Sequence, residues 1–288
     1  MKMSDELKVA KGAMGGAKDG QKVVADIEYA GGEAQLHIVE VLGDPEDAET
    51  DILSIIRAHD ITQDFPRHVL AAARNLPQEL TRDDVLRRED LRHLTLFTID
   101  GEDAKDFDDA LSIRKLNNGS WEIGVHIADV THYVKPGDIV DTEGEDRATS
   151  VYLVDRTVPM LPERLSNELC SLRPNEEKLT FSVVFELDDE ANIQQQWIGR
   201  TVTYSDRRFT YDEAQQRIET GEGDYAEEIG TLNRLARIMR EERFKNGAIT
   251  FEREEAKFDL DETGKPIGVY FKEMKESNQL IEEFMLLA

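Results

Sequence analysis

In "TIDGEDAKDFDDA", residues 98–110, six carboxylate side chains stand within ten positions: Asp100, Glu102, Asp103, Asp106, Asp108 and Asp109. The stretch follows the apolar run "LFTI" without a polar spacer, carries Phe107 inside it and passes through Ala110 into another apolar segment. Some of this charge is therefore expected beside a core. Carboxylates held so close repel one another and take up protons unless a cation neutralises them. Hard oxygen ligands suit Mg²⁺ or Mn²⁺ rather than zinc. Two such ions, about 3.5 to 4 Å apart, clamp the attacking and leaving oxygens of a phosphodiester displacement. A solvated acidic loop is the plainer reading of the same residues. A calcium loop of the EF-hand kind is excluded, because it needs glycine at its sixth position and the sixth residue from Asp100 is Lys105.

Such a loop needs rigid elements at both ends. Residues 94–134 read as strand, acidic loop, strand ("ALSIRK"), an Asn118-Gly119 turn and a further strand ("SWEIGVHIA"). Before them, "KVVADIEY" alternates Val23, Ala25, Ile27 and Tyr29, and Gly31-Gly32 turns the chain into "EAQLHIVEVLG", a predicted hairpin with too few strands to bury its face alone. From Asp51 to about Asp90 the pattern is helical, with Pro66 in a first turn, Phe65, Leu70, Ala73 and Leu76 on one side, and Thr81 as a cap. Further on, "LTFSVVFEL" and "IQQQWIGRTVTY" predict a second hairpin. Ile229, Leu232, Leu235 and Met239 predict an amphipathic helix ended by Gly247. A third hairpin is expected over "AITFEREEAKFDLDETGKPIGVYFKEM". Ser277 is expected to cap a last helix that runs into the end of the sequence as if cut through a core element.

At 288 residues with 39% hydrophobic side chains, the chain can bury a sizeable core. No apolar stretch approaches the roughly 20 residues of a membrane span, and the first residues lack the apolar segment of a signal peptide. Cys170 is the only cysteine, which excludes an intrachain disulfide and a cysteine-based zinc site; a cytoplasmic protein is the expectation. The formal charge is −26, from 61 acidic and 35 basic side chains, so nonspecific attraction to polyanions is not expected from the chain as a whole.

With these residues laid out, "DLRHLTLFTIDGEDAKDFDDA" resembles the catalytic motif of the ribonuclease II/ribonuclease R family. The likeness continues through "VHIADVTHYV", "YLVDRTVPMLPERLSNELCSL", "GAITFEREEAKF" and "NQLIEEFM", and so covers about residues 45–288. The segment before it resembles the end of the second cold-shock barrel of that family. The resemblance implies an α+β chain: residues 1–45 as part of a cold-shock, OB-like domain, 46–90 as a helical connector, and 91–288 as the N-terminal portion of a mixed α/β RNB-type catalytic domain. It also implies a Mg²⁺-dependent, processive exoribonuclease that works from the 3′ end of single-stranded RNA and releases nucleoside 5′-monophosphates.

By motif, Asp100, Asp106 and Asp109 match the family's metal-holding aspartates, and Asp108 matches the aspartate needed for cleavage but not for binding. Tyr152, in "SVYLV", and Phe251, in "AITFE", match the aromatic pair that clamps the terminal bases. Tyr211, in "FTYDEA", and Glu282, in "LIEEFM", match residues that contact the last nucleotides and help select ribose. From spacing alone Tyr152 and Phe251 read as core packing, and Glu282 as a solvated helix position. His126 and His132 are read as structural, and Cys170 as a buried small hydrophobe. In the family the catalytic domain continues further, with an arginine-bearing motif, an RNA-binding barrel and a basic tail. The 288 residues alone are therefore expected to be nearly inactive. Two other classes stay open: an RNA-binding module with a vestigial acidic loop, and a metal-dependent phosphatase.

Overall fold

The structure, a computed structural model, describes residues 7–30, 33–249, 255–261 and 266–288. In chain order the elements begin β1 (Lys8–Val9), β2 (Lys22–Ala30), β3 (Glu33–Gly43), α1 (Ala48–Ala58), α2 (Arg67–Arg74) and α3 (Arg82–Leu86). Next come β4 (Glu89–Asp90), β5 (Leu96–Asp100), β6 (Asp109–Lys115), β7 (Trp121–Ala128), α4 (Val130–Tyr133), α5 (Ile139–Arg147), β8 (Val151–Tyr152), β9 (Thr157–Val158) and a π-helical turn at Arg164–Leu169. The remainder is β10 (Glu177–Leu187), β11 (Ile193–Tyr204), β12 (Arg207–Thr210), α6 (Tyr211–Thr220), α7 (Ala226–Lys245), β13 (Glu255–Leu260), β14 (Pro266–Lys272) and α8 (Glu276–Leu287). No described helix is long and apolar enough to cross a membrane.

The chain divides into two compact units: residues 1–65 with 150–158 and 256–271, and residues 66–149 with 159–255 and 272–288. In the first, the expected hairpin forms, with Ala30 opposite Glu33, and β1 adds to β3 in parallel, giving the order β1-β3-β2. The turn glycines Gly31 and Gly32 lie outside the described residues. Three strands do not close a barrel, so the OB-like character here is partial. Helix α1 is tied to this hairpin by Arg57 to Glu40 at 2.6 Å and Lys22 to Asp51 at 2.5 Å. The strand pairs β8–β9 and β13–β14 belong to the same unit.

The second unit is built on a seven-stranded mixed sheet in the order β12-β5-β6-β7-β10-β11-β4, parallel at its two outer pairs and antiparallel between them. The Asn118-Gly119 turn between β6 and β7 forms as expected: Gly119 takes φ 93°, which glycine adopts without a Cβ penalty, and Leu116 N–H donates to Ser120 O at 2.8 Å. One sheet face carries Phe97, Ile99, Leu111, Ile113, Ile123, Val125, Phe185, Leu187 and Phe209 into a core shared with Ile229, Leu232 and Leu235 of α7 and Leu280 and Phe284 of α8. Burying side chains of this size contributes roughly 1.5–3 kcal/mol each. Phe97 and Phe209 meet edge to face at 5.7 Å, locking β12 against β5.

Elsewhere in this sheet buried polar side chains stand among apolar ones such as Leu96, Leu179 and Val202. His126, fully buried, is hydrogen-bonded through its ring nitrogens to Ser182 Oγ at 2.7 Å and Ser112 Oγ at 2.8 Å, and Ser182 continues to Thr201 and Thr180. Burial lowers the His126 pKa to about 3, so it is neutral, and both nitrogens are engaged. Gly124 makes room for the ring: a Cβ there would lie 2.4 Å from His126 Nε2.

Helix α2 buries Val69 and Ala73, while Phe65, Leu70 and Leu76 are half-buried. One local expectation is corrected. Ser277 does not cap α8: the helix starts at Glu276, Lys275 N–H donates to Asn278 Oδ1 at 3.0 Å, and Ser277 is already a fully buried first-turn residue. Thr81 does cap α3, in a reciprocal pair with Asp84.

Candidate active site

The acidic loop exists because β5 and β6 part early. Only Leu96↔Ser112 and Phe97↔Leu111 pair between them, and the end of β5 turns instead to the edge strand β12, with Thr210 opposite Asp100. Residues 101–108 span the gap. Asp100 is thus fixed by β5, Asp109 by β6 opposite Ile127 of β7, and the Asp108 carbonyl by the Ala128 N–H at 2.9 Å.

Three distant residues, Ser171, Leu172 and Arg208, hold the loop itself. Ser171 Oγ accepts the Phe107 N–H at 3.1 Å and donates to Lys105 O at 2.7 Å, while Leu172 N–H donates to Phe107 O at 2.9 Å. Phe107 is buried, so Asp106 and Asp108 flank an anchored ring. Arg208 of β12 donates through Nη2 to Gly101 O and, at 2.9 Å, to Glu102 O, with its guanidinium 5.5 Å from the Phe107 ring centre. Neither Ser171 nor Arg208 stands out in the sequence, since each lies more than sixty residues from the loop it holds.

Asp100, Asp106 and Asp109 are half-buried, whereas Asp108 reaches solvent. Burial first, then the charges of Asp109 and Asp106, push the Asp100 carboxyl up to about 7, with Thr98 and then Arg208 opposing. Its Oδ2 is buried without a hydrogen-bond partner. Crowding by protein atoms, then the charges of Asp106 and Asp109, push Asp108 up to about 6, and burial raises Asp109. Among the described residues, no three His, Cys, Asp or Glu side chains converge closely enough to chelate an ion. Like charges of this kind repel, and a cation is what would draw them together.

Tyr211 opens α6 next to the strand position paired with Asp100. Burial, Asp109 and Asp100 push its hydroxyl up to about 12, which places it within electrostatic reach of both carboxylates. Tyr152 is 70% exposed on β8, so it is not core packing; it lies in the first unit. Phe251 lies outside the described residues. Glu282 sits on α8 with Arg240 at 3.4 Å and Arg243 at 3.3 Å of α7, and its neighbour Glu283, 3% exposed, takes the buried share of the same arginines. Cys170 is buried and its thiol is pushed up to about 12, by burial first and then by Asp108, so it is no nucleophile.

The family described as "RNB domain" matches residues 88–288, and "Cold shock domain" matches residues 1–66. Ribonuclease R of Thermotoga maritima is 40% identical over 298 residues, a stretch that takes in 100% of this chain and 42% of that protein. Ribonuclease R of Mycoplasma genitalium, solved in complex with ribose methylated single-stranded RNA, superposes with a TM-score of 0.89 at 26% identity, over 98% of this chain and 45% of that one. Yeast Ssd1, described as a pseudonuclease, shares the fold, with a TM-score of 0.70 at 22% identity over 92% of this chain and 34% of that one. The chain therefore spans less than half the length of each relative. Because a pseudonuclease shares this fold, the fold alone does not decide activity; the carboxylates must.

Proposed function

Since the chain belongs to the RNB-domain family that includes ribonuclease R, we propose that it is the part of a 3′-to-5′ exoribonuclease that carries the acidic centre, acting on single-stranded RNA and releasing nucleoside 5′-monophosphates by hydrolysis. One observation carries this reading: Asp100, Asp108 and Asp109 lie in one loop region and each is pushed towards the protonated form, Asp100 and Asp109 by burial and Asp108 by crowding protein atoms, with mutual repulsion adding to it at Asp100 and Asp108. Groups so placed stay ionised together at neutral pH only beside a cation.

The donor set fits a hard divalent ion. Asp100, with its buried unpartnered Oδ2, and Asp106, Asp108 and Asp109 would hold Mg²⁺, with Mn²⁺ as a substitute. When bound, the ion supplies positive charge to the scissile phosphate and to the water that attacks it. Asp108, the carboxylate that solvent reaches, orients that water in line with the last phosphodiester. Tyr152 and Phe251 stack on terminal bases, which suits sequence-independent binding because every base has a π face. Tyr211 and Glu282 contact the terminal nucleotide and favour ribose. Residues 1–45 are read as the end of a cold-shock barrel, 46–90 as a connector and 91–288 as the start of the catalytic domain.

A second reading, an RNA-binding module with a vestigial loop, draws on the lack of three converging side chains among the described residues. Incubating the full protein and its Asp108→Asn form with uniformly labelled single-stranded RNA separates the two. The exonuclease reading expects mononucleotides from the unaltered protein in Mg²⁺, none in EDTA, and none from Asp108→Asn, which still binds RNA. Intact RNA in every arm, with undiminished binding, establishes the module instead.

A further inference from the structure

We propose that Arg208 is a positioning residue for the acidic centre: its guanidinium clamps the first half of the loop, so that Asp100 and the Asp106–Asp109 segment face one another. Arg208 lies on the edge strand β12 opposite Thr98 of β5, two residues before Asp100. From there it crosses the opening between β5 and β6 and bonds to two successive carbonyls, Gly101 O and Glu102 O. Its guanidinium also covers the ring of Phe107, whose backbone N–H Ser171 holds in the other half of the loop. The described backbone contact inside this half, Ala104 N–H to Gly101 O at 3.2 Å, closes a single turn and ties it to no other element. A guanidinium can make both contacts at once, being planar enough to cover a ring while the two hydrogens of one terminal nitrogen, Nη2, serve the two carbonyls. Its positive charge also falls beside Asp100.

The role rests on the exoribonuclease reading for its effect on turnover, while the clamp itself is measured without RNA. The full protein and its Arg208→Gln and Arg208→Lys variants are compared by hydrogen–deuterium exchange over residues 101–107, by Mn²⁺ titration, by RNA affinity in EDTA, and by single-turnover nucleotide release at saturating RNA. The glutamine variant should exchange faster across the loop and lose about 10- to 100-fold in Mn²⁺ affinity and in turnover, as outer-shell partners of metal ligands do, with RNA affinity unchanged. The lysine variant keeps the charge but loses the planar group that covers Phe107 while it reaches the two carbonyls, and it should stay close to glutamine in every readout. If glutamine fails to fold, lysine carries the test alone. Loop exchange and Mn²⁺ affinity at the unaltered level in either folded variant overturn the clamp, as does a lysine variant restored to full turnover or a loss confined to RNA affinity. An unaltered protein that releases no nucleotides, in which Arg208→Gln still loosens the loop and weakens Mn²⁺, overturns the exonuclease reading and leaves the clamp standing.

Discussion

The Ser171 hydroxyl holds the Phe107 backbone inside the acidic loop, accepting its N–H at 3.1 Å and returning a hydrogen bond to Lys105 O at 2.7 Å. Ser171 is fully buried and Phe107 nearly so. Asp106 and Asp108, on either side of that ring, therefore take their positions from a core contact rather than from the loop's own turns. Like-charged side chains would drive an unanchored loop open, and this contact is one of the forces that keep it shut.

Replacing Ser171 with alanine leaves the Phe107 N–H and the Lys105 carbonyl without their partner. An unsatisfied buried polar group costs about 1–3 kcal/mol, so the urea midpoint of Ser171→Ala should fall by a corresponding amount with the slope unchanged. The same variant should bind Mn²⁺ more weakly than the unaltered protein. A midpoint that does not move would mean that the loop is held by other contacts.

Asp100 ties the stability of the folded chain to pH. Its folded pKa of about 7 lies above the ordinary 3.8, so between those values the folded chain holds a proton that the unfolded chain releases. Stability in EDTA should therefore decline as pH rises from about 4 through 7, and Asp100→Asn, which has no proton to lose, should show a flatter profile and melt higher than the unaltered protein at about pH 8. Adding Mg²⁺ should stabilise the unaltered protein most at that alkaline end and leave Asp108→Asn/Asp109→Asn unmoved. Parallel pH profiles for the unaltered protein and Asp100→Asn would refute the assignment.

Tyr152 separates base stacking from structural packing. At 70% exposure its removal should change stability by no more than about 0.5 kcal/mol. If it stacks on a base, Tyr152→Ala should weaken single-stranded RNA binding in EDTA by about 1–3 kcal/mol, with little dependence on base identity, and Tyr152→Phe should restore it. Fluorescence anisotropy with homopolymeric oligonucleotides reads both. Equal affinity for the alanine and unaltered proteins removes Tyr152 from the RNA path.

What the sequence carried and what it did not follow from the range of the interactions. Strand alternation, the Asn118-Gly119 turn, the Thr81 cap and the spacing of Ile229, Leu232 and Leu235 are local signals, and each appears in the structure as read. The acidic loop was legible because its charges are consecutive. Its supports were not: Ser171 and Arg208 reach it from elements more than sixty residues away, and no periodicity encodes such a pairing. The exposure of Tyr152 was equally hidden, because flanking Val151 and Leu153 suggest burial, whereas β8 is a two-residue strand paired only with β9. Ser277 misled for a related reason: a residue type favoured as a cap stands one turn position inside the helix, where packing rather than capping decides its place.

The buried ion pair of Arg88 and Asp129 gives the last test, because it stands immediately behind the loop's exit. Asp129 follows Ala128, whose N–H holds the Asp108 carbonyl, and its own N–H donates to Leu179 O. Arg88 Nη2 meets Asp129 Oδ2 at 2.6 Å with side chains 4% and 1% exposed, and Arg88 Nη1 also reaches the Thr180 and Thr201 carbonyls. Burial alone would raise the Asp129 carboxyl, but hydrogen bonds from Thr131 and Arg88 outweigh it and hold the group below its ordinary 3.8. A depressed folded value contributes stability that is present above the unfolded pKa and lost as pH falls through the folded one. Asp129→Ala strands a buried guanidinium and should cost about 3–5 kcal/mol at neutral pH. Arg88→Met should cost less, because Asp129 keeps Thr131 at 2.6 Å and Arg200 at 3.6 Å. The gap between Asp129→Ala and the unaltered protein should narrow below about pH 4, where the unfolded chain takes up a proton at this carboxyl that the folded chain still excludes. Urea midpoints at neutral pH and near pH 3 measure both effects. A gap that stays constant across that range would mean that the pair contributes through shape alone.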